Sequence, residues 1–546
     1  MIRLKTGLDS WFLAIVFLLP ILVTPRTTID IFALPKSTFF VTGILILTIV
    51  MMLYGRNVLA ITKDKLSLVL IALALCTLII PMLSNSFTEE RLFGIHGRFN
   101  GALVYFSLIL SLIFVRVVFS QDTTIKAMKL GAIANLIVSS YFILQLTGYD
   151  FLKWKNVYQD PSSTMGNPNF VSGFLATTTF TYLSFTIQQS KSHKKNILRK
   201  ALSFVGVGFS IICIVLTNSA LGLFSVFASF AVIILTSFIR LVPKISSVRV
   251  YFKWTILITL FCIPSAVIFV FFWNRLESIL SVSNRLYYWK VSLDAIERRP
   301  FQGYGFDSTG DFFRTIERVE KYGPIFGVDS SHNLVIDLIS WMGIPLGIFL
   351  VGTILAPLIL SVNNQMAKRR VSSLELAVAA SVMTFLIQAT ISVPTIGVNC
   401  WGFVFIGILW NQVRPIENRV AVKESNFRLK SIKVGITFIL LPLVPLFPIR
   451  FAKDVEFRNF AESGNVLPLI NLVQKWPNDS FHYLTLTHSL YMSNQQFLAR
   501  EIGKRGVEFN PKNFMLLDEI YREEKDPAFR EEIFVLMKDI NPLLRR

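Results

Sequence analysis

The sequence contains few charged residues for its length. Of its 546 residues, 16% are charged and 53% are hydrophobic, whereas an ordinary soluble protein has about 25% charged residues. This shortage excludes a chain of several soluble domains, which the length alone would allow. The composition instead predicts an integral membrane protein.

Cysteine and metal-binding motifs are also scarce. The four cysteines lie inside or at the edges of apolar segments: Cys76, Cys213, Cys262 and Cys400. This placement excludes a disulfide framework, and we interpret the four residues as small packing residues. The segments expected outside the membrane contain no Asp-x-Asp motif or other cluster of metal ligands. The sequence therefore predicts neither a metal nor another cofactor.

Long apolar segments make up most of the chain. Residues 66–82 and 254–273 contain no Asp, Glu, Lys or Arg, and about 20 mostly apolar residues in a helix span a membrane. We predict an all-α, polytopic bundle of about 12–13 transmembrane helices, the first of them an uncleaved span. The candidate spans are residues 10–25, 37–54, 66–85, 101–120, 126–147, 168–187, 200–217, 219–240, 253–273, 333–360, 373–393, 396–412 and 432–449.

The basic residues predict the orientation of these helices. The net charge is +20, and the basic residues cluster in alternate loops such as 54–65 and 188–200, while loops 217–219 and 394–396 have none. Basic loops stay in the cytoplasm, so we expect a bacterial cytoplasmic (inner) membrane protein with a cytoplasmic N-terminus. A long loop at about 274–332 and the C-terminal tail are then external. This charge pattern suits membrane lipids and argues against a nucleic-acid partner.

The tail forms a second predicted domain, residues 451–546, after a membrane domain of residues 1–450. Pro477, Pro511 and Pro542 each follow a Trp or Asn and are separated by 34 and 31 residues. A period near 34 residues is typical of tetratricopeptide helix pairs. An unrelated small helical bundle is the alternative. Either form would suit docking of envelope protein partners better than catalysis.

The external loop begins with a predicted amphipathic helix at residues 284–297. Leu286, Trp289, Leu293 and Ile296 recur at helical spacing and form an apolar face. We expect this face to lie against the protein or the membrane surface.

The end of the external loop carries a histidine at the membrane boundary. Gly303 and Gly305 permit a tight turn around Tyr304, and the segment 329–333 (DSSHN) places His332 directly before the next span. A serine of this segment is the expected cap of that span.

Four pieces of the sequence resemble the O-antigen ligase and polymerase superfamily, whose members transfer glycans from a polyprenyl-diphosphate carrier. Three pieces are FGIHGRFNGALVYF (93–106), GNPNFVSGFLA (166–176) and LTNSALGL (216–223). The most specific piece is an ordered set: Arg285, Trp289, Ala295, Pro300, Gly303, Tyr304, Gly305, His332, Asn333 and Gly343. A tetratricopeptide tail accompanies one branch of the family.

The resemblance implies a metal-independent glycosyltransferase or oligosaccharide ligase. It would move an oligosaccharide from a lipid-diphosphate donor to a hydroxyl on a glycan, a lipid or a protein. Arg285 is then the catalytic residue that binds the donor diphosphate, because guanidinium groups bind such oxygens in a bidentate fork. His332 is the second catalytic residue and activates the acceptor or contacts the diphosphate.

The resemblance also suggests residues that bind the diphosphate or the glycan. These are Arg98, Arg275, Tyr304, Asn333, Asn167 and Asn169. Trp289 and Asp337 are supporting residues, and Asp337 is expected to orient the His332 ring. Where the family usually has Ser-Arg-Gly, this chain has Ala220 and no Arg, so Arg98 and Arg275 are the substitutes. The alternative roles are an interface anchor for Arg98 and a helix start for the two asparagines.

Two other functions remain open from the sequence. One is a transporter or flippase for lipid-linked or anionic solutes, and the other is a non-catalytic assembly factor of a polysaccharide machine. A transporter would carry ionisable residues near the middle of the membrane and an internal repeat. The sequence shows few deep charges and no obvious repeat between halves, which favours the enzyme.

Overall fold

The structure is a computed structural model, and everything it describes is helix, turn or loop. It describes residues 2–54, 61, 64–83, 88–152, 161–187, 193–241, 282–316, 328–367, 372–416, 427–541 and 544. Strands are absent from these residues, which confirms the predicted all-α fold. The predicted span at 253–273 and Arg275 lie outside the described residues.

The membrane region is built from apolar helices in the predicted places. Their bounds are Ile2–Leu18, Ala33–Tyr54, Lys65–Leu83, Ala102–Val118, Gln121–Leu146, Pro168–Thr179, Ser184–Ile187, His193–Leu216, Ala220–Leu241, Leu334–Met342, Ile344–Ala367, Ser373–Ala389, Ile396–Val413, Phe427–Leu440 and Leu446–Ser463. Seven helical stretches within the described residues are long and apolar enough to cross a membrane, and shorter apolar helices lie between them. The protein is therefore a multi-pass membrane protein.

Three predicted spans are interrupted, and the one predicted at 432–449 contains a 3-10 turn at Leu441–Leu443 between two helices. The span predicted at 333–360 is two helices that separate at Gly343, whose φ is +79°. A side chain at this position would collide with the carbonyl of Phe301. The span predicted at 168–187 contains a 3-10 turn at Phe180–Leu183. Apolar length predicts where a helix lies but not these local breaks.

Helices differ in how much of their surface the protein covers. In the helix Ile396–Val413, 83% of the residues are buried, and the helix packs against Ala102–Val118 at the centre of the bundle. His193–Leu216 lies outside, and its Phe204 and Val205 are exposed. Exposed apolar side chains on a long helix are expected where lipid covers the protein.

Three further helices lie in the segments that the sequence predicts to be external: Glu89–Phe93, Val282–Arg298 and Thr309–Ile316. The predicted apolar face of Val282–Arg298 is divided, because Leu286 and Leu293 are exposed whereas Ile296 is buried. Val291 and Ala295 bury the helix against the protein. The exposed leucines remain candidates for contact with the membrane surface.

The tail consists of helices joined by short turns. They are Val466–Val473, Ser480–Met492, Gln496–Phe509, Phe514–Glu523 and Pro527–Ile540. Leu486, Leu517 and Ile533 belong to an apolar core that is separate from the core of the membrane region. Leu446–Ser463 crosses the predicted domain boundary at 450. The assignment of the tail to tetratricopeptide repeats stays a prediction.

Candidate functional site

A tight loop at residues 94–101 carries Arg98, which the sequence predicts to be on the external side. The loop closes on itself because Gly94 has a φ of +96°, and a side chain there would collide with the backbone of Asn100. The side-chain amide of Asn100 donates to the carbonyl of Pro394 at 2.6 Å. Arg98 Nε pairs with Asp329 Oδ2 at 2.5 Å. These contacts fix the position of Arg98.

Buried charged groups join this loop to the long external loop. The Asp307 carboxylate accepts hydrogen bonds from the backbone amides of Ile95 at 2.9 Å and Asn100 at 3.4 Å. Arg91 donates to the carbonyl of Asp307 at 3.0 Å and pairs with Asp311. Burial raises the pKa of Asp307 to about 7. Contacts of this kind hold the two loops as one unit.

The His332 loop is shaped by polar side chains. His332 has a φ of +57°, and its Nδ1 lies 3.1 Å from the Ser330 carbonyl oxygen. The buried Asp337 carboxylate accepts from Ser330 Oγ at 2.6 Å and from the Ser331 amide at 2.9 Å. Asp337 therefore bonds the loop that carries His332, and not the ring as expected. The helix cap is Asn333, whose side chain accepts two backbone amides, and not a serine.

The surroundings of His332 favour its neutral form. Burial lowers the pKa of His332 below its ordinary 6.5, and the charges of Arg285 and Arg98 act in the same direction. The negative charge of Asp329 opposes them. The ring lies 5.3 Å from the ring of Tyr288, centroid to centroid. A neutral imidazole can accept a proton, as a general base must.

Arg285 is half-buried on the helix Val282–Arg298. Its Nε donates to the carbonyl of Ile391 at 2.9 Å, whereas one terminal nitrogen is buried without a hydrogen-bond partner. Burial lowers the pKa of Arg285, but an arginine keeps its charge at neutral pH. An anchored guanidinium with an unused donor is well suited to bind an anion.

One cavity of about 400 Å³ is lined by Arg98 and Asp329, whose charges act on His332, whereas neither His332 nor Arg285 lines it. Side chains from five separate segments line it, among them Lys36, His96, Arg98, Asn167, Phe170 and Asp329. The 93–106 and 166–176 motifs therefore meet Asp329, three residues before His332, at one place. The fold thus brings residues that are far apart in the sequence to one cavity.

Other predicted site residues have structural contacts. Tyr304 is buried away from the cavity lining, packs on Phe312 and lies under the guanidinium of Arg299. Asn167 lines the cavity and also caps the helix that follows, through the backbone amide of Asn169 at 2.8 Å. Asn169 itself is exposed.

The remaining predicted residues lie on the external helix and the short turn. Trp289 Nε1 is buried without a hydrogen-bond partner. The turn before Ala220 packs on the helix Pro168–Thr179, because Ser172 Oγ donates to the Ser219 carbonyl at 3.3 Å. Of the two substitutes for the absent Arg, Arg98 lines the cavity, and Arg275 falls beyond the described part of the chain.

The tail contacts the Arg98 loop, which the sequence did not predict. Glu90 accepts hydrogen bonds from the Ser480 amide at 2.8 Å and from the Asn510 side chain at 3.3 Å. The Phe481 ring stacks on His96 with centroids 3.9 Å apart. No local pattern could have signalled these contacts, because the partners are hundreds of residues apart in the chain.

Comparisons with known proteins agree with the sequence motifs. The model of the O-antigen ligase family matches residues 205–351. The ComP-specific O-oligosaccharyltransferase of Acinetobacter baylyi (strain ATCC 33305 / BD413 / ADP1) is 25% identical over 289 residues, which are 50% of this chain and 48% of the relative. The match thus spans about half the length of this curated relative, and no solved structure matches the chain. Together the two similarities confirm the predicted relationship of this chain to the O-antigen ligase superfamily.

Proposed function

We propose that the protein is a membrane glycan transferase that moves an oligosaccharide from a polyprenyl-diphosphate carrier to a hydroxyl acceptor. The observation that carries this proposal is that Arg98 and Asp329 pair at one cavity and that their charges act on the neighbouring His332. The name of the Acinetobacter relative describes an O-oligosaccharyltransferase, which fits a hydroxyl acceptor. The acceptor hydroxyl belongs to a glycan, a lipid or a protein.

Arg285 binds the donor diphosphate in this proposal. Its Nε is held by a backbone carbonyl and a terminal nitrogen is unused, so the side chain is already positioned when the anion arrives. Stabilisation of charge on a leaving group is usually the largest catalytic contribution. Arg98 makes a second anion contact at the cavity, where its pairing with Asp329 holds it in place.

His332 activates the acceptor. Its neutral ring takes the proton of the acceptor hydroxyl while the oxygen bonds to the anomeric carbon of the donor sugar. The bond between that carbon and the diphosphate oxygen breaks, and polyprenyl diphosphate leaves with the electron pair. Asp337 and Asn333 are positioning residues, because they hold the His332 loop. The step uses no metal ion, as the sequence predicts.

The reaction faces the outside of a bacterial cytoplasmic membrane in this proposal. The basic loops argue for a cytoplasmic N-terminus. Arg98, His332 and the tail then lie on the external side, where a lipid-linked glycan that has crossed the membrane is available. The tail stands beside the cavity and offers a surface for envelope proteins.

Substitution of the two catalytic residues tests the proposal. Purified protein is given a polyprenyl-diphosphate oligosaccharide and candidate acceptors, and glycan transfer is measured. Arg285→Ala and His332→Ala should each reduce transfer by about 100-fold or more, because each removes charge stabilisation or proton transfer. Lys290→Ala, an exposed position on the same helix as Arg285, is the control and should keep its activity.

Two results would contradict the proposal. If both alanine variants transfer glycan at the wild-type rate, the site is wrong. If the wild-type protein moves the lipid across liposomes without transferring sugar, the protein is a transporter.

A further inference from the structure

Three potential metal ligands meet where the tail contacts the membrane region. His96 lies in the loop that carries Arg98, whereas Asp454 and His482 lie on two helices at the start of the tail. One ligand atom from each residue lies within 4.8 Å of the others. His482 Nε2 already lies 3.2 Å from Asp454 Oδ1. The group joins parts of the chain that are remote in sequence.

The hydrogen-bond pattern leaves ligand capacity unused. Nδ1 of His96 and Nδ1 of His482 are both buried without a hydrogen-bond partner, and the His482 side chain is 0% exposed. A hydrogen-bonded His–Asp pair alone would account for one nitrogen of His482 and for none of His96. An imidazole binds a metal ion through an unprotonated ring nitrogen.

The two imidazole rings are also held in position. Phe481 stacks on His96 with centroids 3.9 Å apart, and Phe457 stacks on His482 at 4.2 Å. The second oxygen of Asp454 accepts the backbone amide of Ile29 at 2.7 Å. Such outer contacts orient the ligands of a metal site.

We propose that His96, Asp454 and His482 bind a divalent transition-metal ion, Zn²⁺ by preference, and that the ion clamps the tail to the Arg98 loop. Two imidazoles and one carboxylate suit zinc, with water as the fourth ligand. Tetrahedral bonds of about 2.0–2.2 Å place ligand atoms about 3.4 Å apart, so ligand atoms that lie up to 4.8 Å apart must move closer together on binding. The ion is structural and takes no part in glycan transfer.

Nearby cations do not exclude this ion. Arg450 forms an ion pair with the buried Asp479, which offsets its charge. Lys453 donates to backbone carbonyls at the turn before the helix Ser480–Met492. Asp30 is buried close enough to Asp454 for the two carboxyl groups to interact electrostatically.

Metal binding to the full-length protein tests this proposal. The protein is purified with a tag that lacks histidine, and bound zinc is measured by mass spectrometry and by titration with Zn²⁺ and Co²⁺. One equivalent should bind, and Co²⁺ should give the intense visible bands of a four-coordinate site. His96→Gln and His482→Gln should bind Zn²⁺ at least about 10-fold more weakly. His488→Gln, the exposed histidine of the same tail helix, is the matched control and should bind as the wild type does.

Thermal unfolding supplies a second readout that does not depend on activity. A chelator should lower the Tm of the wild type and of His488→Gln, and should leave the Tm of His96→Gln unchanged. His96 lies at the edge of the cavity, so this variant should fold even if His482→Gln does not. The proposal is overturned if the folded wild type binds no stoichiometric zinc, or if His96→Gln binds it with wild-type affinity.

Discussion

Two buried carboxylates, those of Asp307 and Asp337, hold the Arg98 and His332 loops in place. Asp307 accepts backbone amides from the Arg98 loop, and Asp337 accepts a backbone amide and a hydroxyl in the His332 loop. Removing such an acceptor leaves buried donors unpaired, at about 1–3 kcal/mol each. The geometry around Arg98 and His332 therefore depends on residues that touch no substrate.

The protonation of Asp307 should make stability depend on pH. Burial raises its folded-state pKa from 3.8 to about 7, so the folded protein holds a proton that the unfolded chain releases. The free energy of unfolding should then fall as pH rises from about 4 to about 7, by at most about 1.4 kcal/mol per pH unit. Asp307→Asn keeps an oxygen acceptor and cannot titrate. Its Tm should vary less than that of the wild type between about pH 5 and pH 7. Equal slopes for the two proteins would show that Asp307 does not titrate in this range.

The motif residues were predictable from the sequence, but their separate roles were not. The ordered set includes Arg285 and His332, and it also includes Tyr304 and Asn333, which pack and cap. The motif thus mixes residues that shape a loop with residues whose side chains have hydrogen-bonding capacity left for a ligand, such as Arg285. Spacing alone does not separate the two kinds, because their contacts come from other parts of the chain.

Among the structural elements, the break at Gly343 is the one on which the site depends most. Gly305 donates its backbone amide to the Trp341 carbonyl at 3.0 Å, and Tyr304 donates to the Ser340 carbonyl at 3.0 Å. The helix end beside Gly343 thus receives the external loop. The same short helix begins at Asn333, directly after His332.

Gly343→Ala should destabilise the protein and impair glycan transfer. A φ of +79° with a ψ of 163° is essentially restricted to glycine and costs an alanine about 1–3 kcal/mol, and the new methyl group would collide with the Phe301 carbonyl. Gly352→Ala is the matched control in the next helix, because no atom lies within 4 Å of its added Cβ. Thermal unfolding should show a lower Tm for Gly343→Ala and an unchanged or slightly higher Tm for Gly352→Ala. Similar Tm values for both variants would mean that neither the φ of Gly343 nor the nearby Phe301 carbonyl restricts the residue at this position.

Apolar length predicted the helices and their order, but it could not reveal this break. Residues on both sides of Gly343 are apolar, so hydropathy continues across it. The break depends on one backbone angle and on the approach of a loop from elsewhere in the chain. A glycine between apolar residues is compatible with both a continuous and an interrupted helix.

Across the whole molecule, the tail and the candidate site share one side of the bundle. Glu90 and the Ser480 amide, 390 residues apart in the chain, are hydrogen-bonded. The positive-inside pattern predicted that both segments are external. It did not predict their contact, because loop charges indicate a side of the membrane and not a position on that side. The convergence at the cavity was unpredictable for the same reason.

The orientation of the molecule can be measured by labelling of single cysteines. Because the tail contacts the helix and loop that carry Arg98, the tail and Arg98 must lie on the same side of the membrane. The basic loops predict that this side is the outside. In a variant without the native cysteines, Ser493→Cys on the exposed tail surface should react with a membrane-impermeant maleimide in intact cells. Asp122→Cys, exposed at the start of Gln121–Leu146 on the predicted cytoplasmic side, should react only after lysis. The opposite pattern would move the tail and the cavity to the cytoplasm together, and an external glycan acceptor would then have no access to His332.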